Sequence, residues 1–239
     1  MSIDTKNVNC IIYRYLDSDA VIQTLQPDRV RLRFSRISNF SDKSEGLYAR
    51  TYLTEIKNSI LRLQKYNSKK IDTVFEMISN ADLPDAFIYS MTRNADSDYM
   101  YENFVPRNES KFCICFDKKA IEEHLATQGN DYSISDVHYG SDGTDYLSGF
   151  LLASLEADDN PEDILNRYMT RRFFIKDQFY SKENEVRITN LNCHGSSDYM
   201  LFDFPADIVS GIKAHPKNFK VDNDTLLSII IDRNYRFIR

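Results

Sequence analysis

Glu183-Asn184-Glu185-Val186-Arg187 sets two carboxylates and a guanidinium at alternate positions, with Val186 and Ile188 interleaved. In a strand, period two turns alternate side chains to one face, so Glu183, Glu185 and Arg187 share a face, with the carboxylates about 6.5 Å apart along it. Carboxylates so placed suit a reaction that develops positive charge, which a fixed negative group stabilises. Gathered with Asp42 and Glu45 they would instead suit a divalent cation, with Lys176 or Arg187 steadying a phosphate. The preceding Phe173-Phe174-Ile175-Lys176-Asp177-Gln178-Phe179-Tyr180 is rich in aromatics, so the charges are expected to line a cleft floored by a sheet. The bland alternative is an exposed strand face, where these residues pair with one another and with Lys176 or Lys182 for solubility and edge protection.

The elements that must carry these residues can be read along the chain. Residues 9–16 have strand composition, Asp17 or Ser18 caps a short helix through Leu25, and Pro27-Asp28 turns the chain. Val30 to Ser35 alternates as a second strand, followed by a loop from Ile37 to Asp42. Leu53, Ile56, Ile60 and Leu63, then Ile71, Phe75 and Ile78, recur at helical spacing with a break near Asn67-Ser68, which predicts a helical hairpin inserted over about 47–82. Strand character resumes from Ala86 to Thr92, a short helix is predicted from Asp98 to Phe104, and Lys111 to Phe116 reads as a strand. Asp117 caps a helix from Lys118 to Ala126, and residues 136–139 form a brief strand. Asn160-Pro161-Glu162-Asp163 combines a cap, Pro at the first position and acids in the first turn, starting a helix that runs toward Phe174. Ile208 to Lys213 is a further strand, and Asn223 or Asp224 caps a last helix before Tyr235-Arg236-Phe237-Ile238. Strands and helices mix without regular alternation. The expectation is therefore α+β, with a mixed, mostly antiparallel central sheet and flanking helices.

Composition bounds the function. The chain has 239 residues with 42% hydrophobic content, enough to bury a sizeable core, and residues 1–239 are read as a single domain. Thirty basic against 36 acidic residues give a net charge of -6, which argues against generic nucleic-acid binding. No apolar run approaches the roughly 20 residues of a membrane helix, and Met1 to Lys6 has no apolar signal core, so no membrane association and a cytoplasmic location are expected. Cys10, Cys113, Cys115 and Cys193 are spread out, as are His124, His138, His194 and His215, and no zinc-type spacing emerges. There is no Gly-rich phosphate loop and no Gly-x-Ser-x-Gly elbow.

Several motifs, taken together, resemble the uncharacterised bacterial family known as domain of unknown function 2971, over nearly the whole chain. Tyr13-Arg14-Tyr15 is similar to the family's opening Tyr-Lys-Tyr, and Phe40-Ser41-Asp42-Lys43-Ser44-Glu45 to its Phe-Asn-Asp-Pro-Phe-Glu. Residues 88–92 and then Met100 to Phe104 resemble a strand with Ser followed by Met-Trp-x-His-Tyr, with Tyr101 and Asn103 in place of the Trp and His. Lys176, Tyr180, Glu183, Glu185 and Arg187 match Lys-x-x-x-Trp-x-x-Glu-x-Glu-x-Arg at the same spacing, although this chain contains no Trp. The resemblance implies divergent membership and carries no established activity.

The chain order Arg14, Ser90-Met91-Thr92, Glu183-Asn184-Glu185 also resembles the Arg, Ser-x-Thr, Glu-x-Glu series of arginine-type ADP-ribosyltransferases, with a longer interval from Thr92 to Glu183. That resemblance implies an ADP-ribosyltransferase-like fold and an NAD-using transferase or NAD glycohydrolase, of the kind found among toxins and phage-defence effectors. Glu185 would stabilise the charge developing on the ribose, Glu183 would orient the acceptor, Arg14 would grip the pyrophosphate, and Ser90 and Thr92 would shape the nicotinamide pocket. Arg187 completes the catalytic candidates, and Asp42, Glu45, Tyr101 and Tyr180 complete the cofactor-binding ones. For Arg14 the bland reading is stacking between its tyrosines and an ion pair to Asp42 or Glu45. Two other classes stay open: the metal-dependent phosphodiesterase or nuclease drawn from the four acids, and a non-enzymatic sensor or protein-interaction module using Tyr99, Tyr101, Tyr132, Tyr139 and Tyr146.

Overall fold

The computed structural model describes residues 10–106, 110–129, 131–191, 196–215, 231 and 237–238. Strand β1 (Ile11–Asp17) ends on the Asp17 carboxylate, which accepts from the Ala20 amide and caps helix α1 (Ser18–Thr24). Strand β2 (Val30–Arg36) follows, then a 3₁₀ turn at Ile37–Asn39 where the sequence suggests only loop. The helical insertion is present as a 3₁₀ turn at Tyr48–Tyr52 with α2 (Leu53–Arg62) and α3 (Ser68–Asn80), the latter capped by Asn67. Then come β3 (Phe87–Thr92), α4 (Asp98–Phe104), β4 (Lys111–Asp117) and α5 (Lys118–Ala126), whose cap is Asp117.

Farther along, the residues read as one brief strand at 136–139 divide between β5 (Tyr132–Asp136) and β6 (His138–Tyr139). An unanticipated helix, α6 (Ser141–Glu156), precedes α7 (Pro161–Arg171), which gives way to a 3₁₀ turn at Arg172–Phe174. Strand β7 (Ile175–Lys176), a 3₁₀ segment at Gln178–Glu183, β8 (Glu185–Asn190), the unanticipated β9 (Tyr199–Phe204), β10 (Val209–Ala214) and β11 (Phe237–Ile238) complete the described elements. The helix expected from Asn223 or Asp224 lies outside the described residues.

The fold is α+β around a nine-stranded, mostly antiparallel sheet in the order β11-β10-β4-β1-β3-β2-β9, with β8 on β3 and β5 on β8. Among the described residues only β10–β11 and the separate β6–β7 pair are parallel. One core covers a sheet face, joining Ile12, Leu32, Phe34, Val186 and Ile188 to Val21 of α1 and Ile121 of α5. The helical insertion builds a second core with α6 and α7, through Ile56, Ile60, Phe75, Ile78, Leu151 and Tyr168. No helix among the described residues is long and apolar enough to cross a membrane.

The sheet is split, and the split makes the site. One edge of β3 pairs with β8 along its whole length, from Phe87–Asn190 to Thr92–Glu185. The other edge is shared: β1 meets β3 only at Tyr13–Thr92, and β2 meets it only at Ser35–Ile88 and Arg36–Phe87. Between those contacts β1 and β2 diverge, leaving the middle of β3 at Ser90 without a strand neighbour on that side. Arg14 Nη1 fills the gap by donating to the Ser90 carbonyl at 2.6 Å, as a buried backbone acceptor requires.

Candidate functional site

A cleft of about 490 Å³ opens where β1 and β2 part. Arg14 and Ser90 line its floor, Asp42 and Glu45 come from the turn after β2, and Lys176, Tyr180, Glu183, Glu185 and Arg187 line the opposite wall.

The charged face is not an exposed edge. Strand β8 is paired on both sides, by β3 and β5, and every one of its residues is buried. The reading of a solvated, edge-protecting face therefore fails, because neither edge is free and the face is covered by the Glu45 turn and the 178–183 segment. Glu183 also departs from the predicted register. It ends the 3₁₀ segment, and Asn184 adopts a left-handed conformation (φ 43°) before the strand begins at Glu185. Period two thus does not relate the two carboxylates. Lys176 does: its ammonium lies 2.7 Å from Glu183 Oε2, 3.3 Å from Glu185 Oε2 and 3.2 Å from Glu45 Oε1.

Arg187, only 1% exposed, uses all five of its donors inside this network. Nε donates to Glu185 Oε1 at 2.7 Å, Nη1 to Glu45 Oε2 at 2.9 Å and the Phe173 carbonyl at 2.7 Å, and Nη2 to Glu45 Oε1 at 2.9 Å and Glu185 Oε2 at 3.0 Å. No donor is left for a ligand, so Arg187 positions Glu185 and Glu45. Three carboxylates (Glu45, Glu183, Glu185) against two cations (Lys176, Arg187) leave one net negative charge when all are ionised.

The two strand-end acids are driven apart in acidity. Burial alone would raise the Glu185 pKa, but the Arg187 and Lys176 charges, with side-chain hydrogen bonds from Arg187 and Ser90, outweigh it and hold it at about 2. Glu183 moves the other way: burial raises it, and Lys176 offsets only part of the effect. Lys176 is held protonated, since the Glu185 and Glu45 charges overcome a burial effect that would lower it. One acid is thus held ionised beside another whose affinity for a proton is raised. Glu183 Oε2 accepts from Lys176, while Oε1 has no hydrogen-bond partner among the described residues.

The remaining candidates divide. Ser90 faces the cleft beside Glu185. Asp42 accepts from the Ser44 amide and hydroxyl and hydrogen-bonds Tyr180, which lies 4.5 Å over the Lys176 ammonium. Arg14 pairs with neither Asp42 nor Glu45 and lies against Tyr89, 5.3 Å from the ring centroid, not against its sequence neighbours. Thr92 does not shape the cleft. It is 1% exposed, and its hydroxyl donates to the Glu183 carbonyl at 2.6 Å, anchoring the segment that carries that acid. Tyr101 is likewise core, 5% exposed and edge-on to Tyr15 and His215. Its burial removes it both from cofactor binding and from the surface imagined for an interaction module.

Sequence reasoning missed the centrality of Lys176, and it assigned Tyr139 to an interaction surface, whereas its hydroxyl accepts from the Glu185 amide at 2.9 Å. It also missed Arg33 and Ser35 on the β2 wall. Alternation of Arg31, Arg33 and Ser35 with Leu32 and Phe34 is the signal that marks them as one non-core face. The position a divalent cation would take among Glu45, Glu183 and Glu185 is filled by the Lys176 ammonium. Comparison of the chain with protein-family models, with curated proteins and with solved structures finds no match.

Proposed function

We propose that the chain is an NAD-consuming enzyme, an ADP-ribosyltransferase or NAD glycohydrolase, and a divergent member of the 2971 family. One observation carries the reading: Arg14, Ser90, Glu183 and Glu185, from three distant stretches of sequence, line one cleft in a split sheet around a net negative charge. Breaking the bond between ribose C1′ and the nicotinamide nitrogen sends the electron pair to nicotinamide and leaves positive charge on the ribose. A carboxylate ionised at any physiological pH stabilises that charge through its field, and Glu185 is such a group. Glu185 is saturated by Arg187, Lys176 and Ser90, so the direct contact falls to Glu183, whose free Oε1 accepts the proton of the incoming water or acceptor. Arg14, with donors beyond its bond to Ser90, grips the pyrophosphate. The five residues matched to the family's late motif all belong to this one cleft wall, which supports reading that motif as a site.

Incubation with NAD and quantitation of nicotinamide, with and without protein acceptors, tests the proposal. Glu183→Gln is expected to slow release by about 10²–10⁴-fold, the range for loss of a positioned general base. Wild-type protein that releases no nicotinamide above buffer, with or without acceptors, would overturn it.

A further inference from the structure

A second cavity, of about 610 Å³, adjoins the acidic cleft through the same gap in the sheet, and Arg14, Arg33 and Ser35 line both. Its polarity is reversed: Arg14, Arg31 and Arg33 line it, and no Asp or Glu does. Arg31 is engaged, donating to Asp203 at 2.7 and 3.0 Å. Arg14 and Arg33 have no acidic partner among the described residues; Arg33 lies 4.4 Å over the Tyr199 ring. Two buried donors are also unused. Tyr89 is 5% exposed, and among the described residues its hydroxyl has no hydrogen-bond partner, nor has Arg14 Nε. Folded proteins rarely leave buried donors unmet, because the lost hydration is not repaid. Two guanidinium groups without an acidic partner, beside a phenol hydroxyl with a donor to spare, make a set of donors with no carboxylate to accept from them, which is the complement of a phosphate's oxygens.

We infer that this chamber binds a phosphate group, and that in the bound substrate it holds the phosphate-bearing half of a nucleotide whose other end enters the acidic cleft. The joining of the two chambers rests on the NAD reading; anion capture by the basic chamber does not. The arrangement sorts a ligand by charge, with phosphates beside Arg33 and a group that becomes cationic beside Glu183 and Glu185.

Calorimetric titration of the full chain with inorganic pyrophosphate, AMP and ADP-ribose, repeated for Arg33→Gln and Tyr89→Phe, tests this. Arg33 is exposed, so its substitution should leave the melting temperature unchanged while weakening each phosphate ligand about tenfold or more, the loss expected for one charged hydrogen-bonded contact. Tyr89→Phe should weaken them a few-fold. ADP-ribose binding tighter than pyrophosphate or AMP, with the same sensitivity to Arg33→Gln, supports a single ligand spanning both chambers. Equal binding of all three identifies a free phosphate as the occupant: the chamber's anion site then stands and the spanning nucleotide falls. Absence of binding by any of the three, or affinities indifferent to Arg33→Gln, overturns the inference. Arg33-dependent binding without nicotinamide release from NAD would sink the catalytic reading alone.

Discussion

Glu185→Gln tests the energetics of the buried network, because it removes the charge and keeps the shape. The Glu185 pKa falls from 4.5 to about 2 in the folded protein. At about 1.4 kcal/mol per unit, that depression corresponds to about 3 kcal/mol of stability. The unfolded chain binds the proton more readily than the folded one, so this contribution is complete above pH 4.5 and is lost as pH falls toward 2. Glu183 acts in the opposite sense: its raised pKa lets the folded protein take up a proton before the unfolded chain does, so its contribution declines as pH rises above 4.5. Carboxylates outside the network titrate in the same range, but their effects cancel in the difference between wild type and variant. Urea unfolding followed by tyrosine fluorescence suits a chain with 15 Tyr and no Trp. The stability gap should be about 3 kcal/mol at pH 7, narrow between pH 4.5 and pH 2, and level off at whatever residue the new amide's unmatched hydrogens impose beside Arg187. A gap that stays constant across that range, or one below about 0.5 kcal/mol at pH 7, would refute the claim that Arg187 and Lys176 hold this carboxylate ionised.

Substitutions at two further positions probe the same region. Arg187→Met should destabilise by about 3–5 kcal/mol, since Glu45 and Glu185 would stay buried with only Lys176 to oppose them; Arg187→Lys should recover part of this, an ammonium being unable to replace five fixed donors, and urea midpoints distinguish the two. Asn184→Val should cost about 1–2 kcal/mol because a branched side chain resists the left-handed backbone at φ 43°, whereas Asn184→Gly should be neutral within about 0.5 kcal/mol, and the pair of melting temperatures reads the difference.

Features carried by neighbouring residues were legible in the sequence, and those created by distant ones were not. The caps Asp17, Asp117 and Asn160 act within three residues; Asp117 and Asn160 stand where the sequence places them, and Asp17 is one of the two residues it offers for the first helix. Helix α6 escaped because Gly143 and Gly149 lower its apparent propensity. Gly143 answers to a tertiary demand, since a Cβ there would come within 2.8 Å of Ile175 Cγ2. Strand β9 escaped because Tyr-Met-Leu-Phe-Asp-Phe is apolar almost throughout and shows no alternation. The acidic stretch is the more instructive case. Alternating charge and Val or Ile describes a half-exposed strand, yet β8 is buried on both faces because Glu45, 142 residues from Arg187, closes over it. That closure bears on function. Apolar residues of similar volume would fill the space at no loss of stability, often with a gain, so a buried network of three acids and two bases is poorly explained as a stabilising device. It is better explained by the unequal acidities it creates, an acid fixed as an anion beside one able to accept a proton, at the wall of an open cleft. If the network served only the fold, Glu183→Gln would change stability and leave every ligand and NAD measurement untouched, which is the outcome that separates a structural network from a catalytic one.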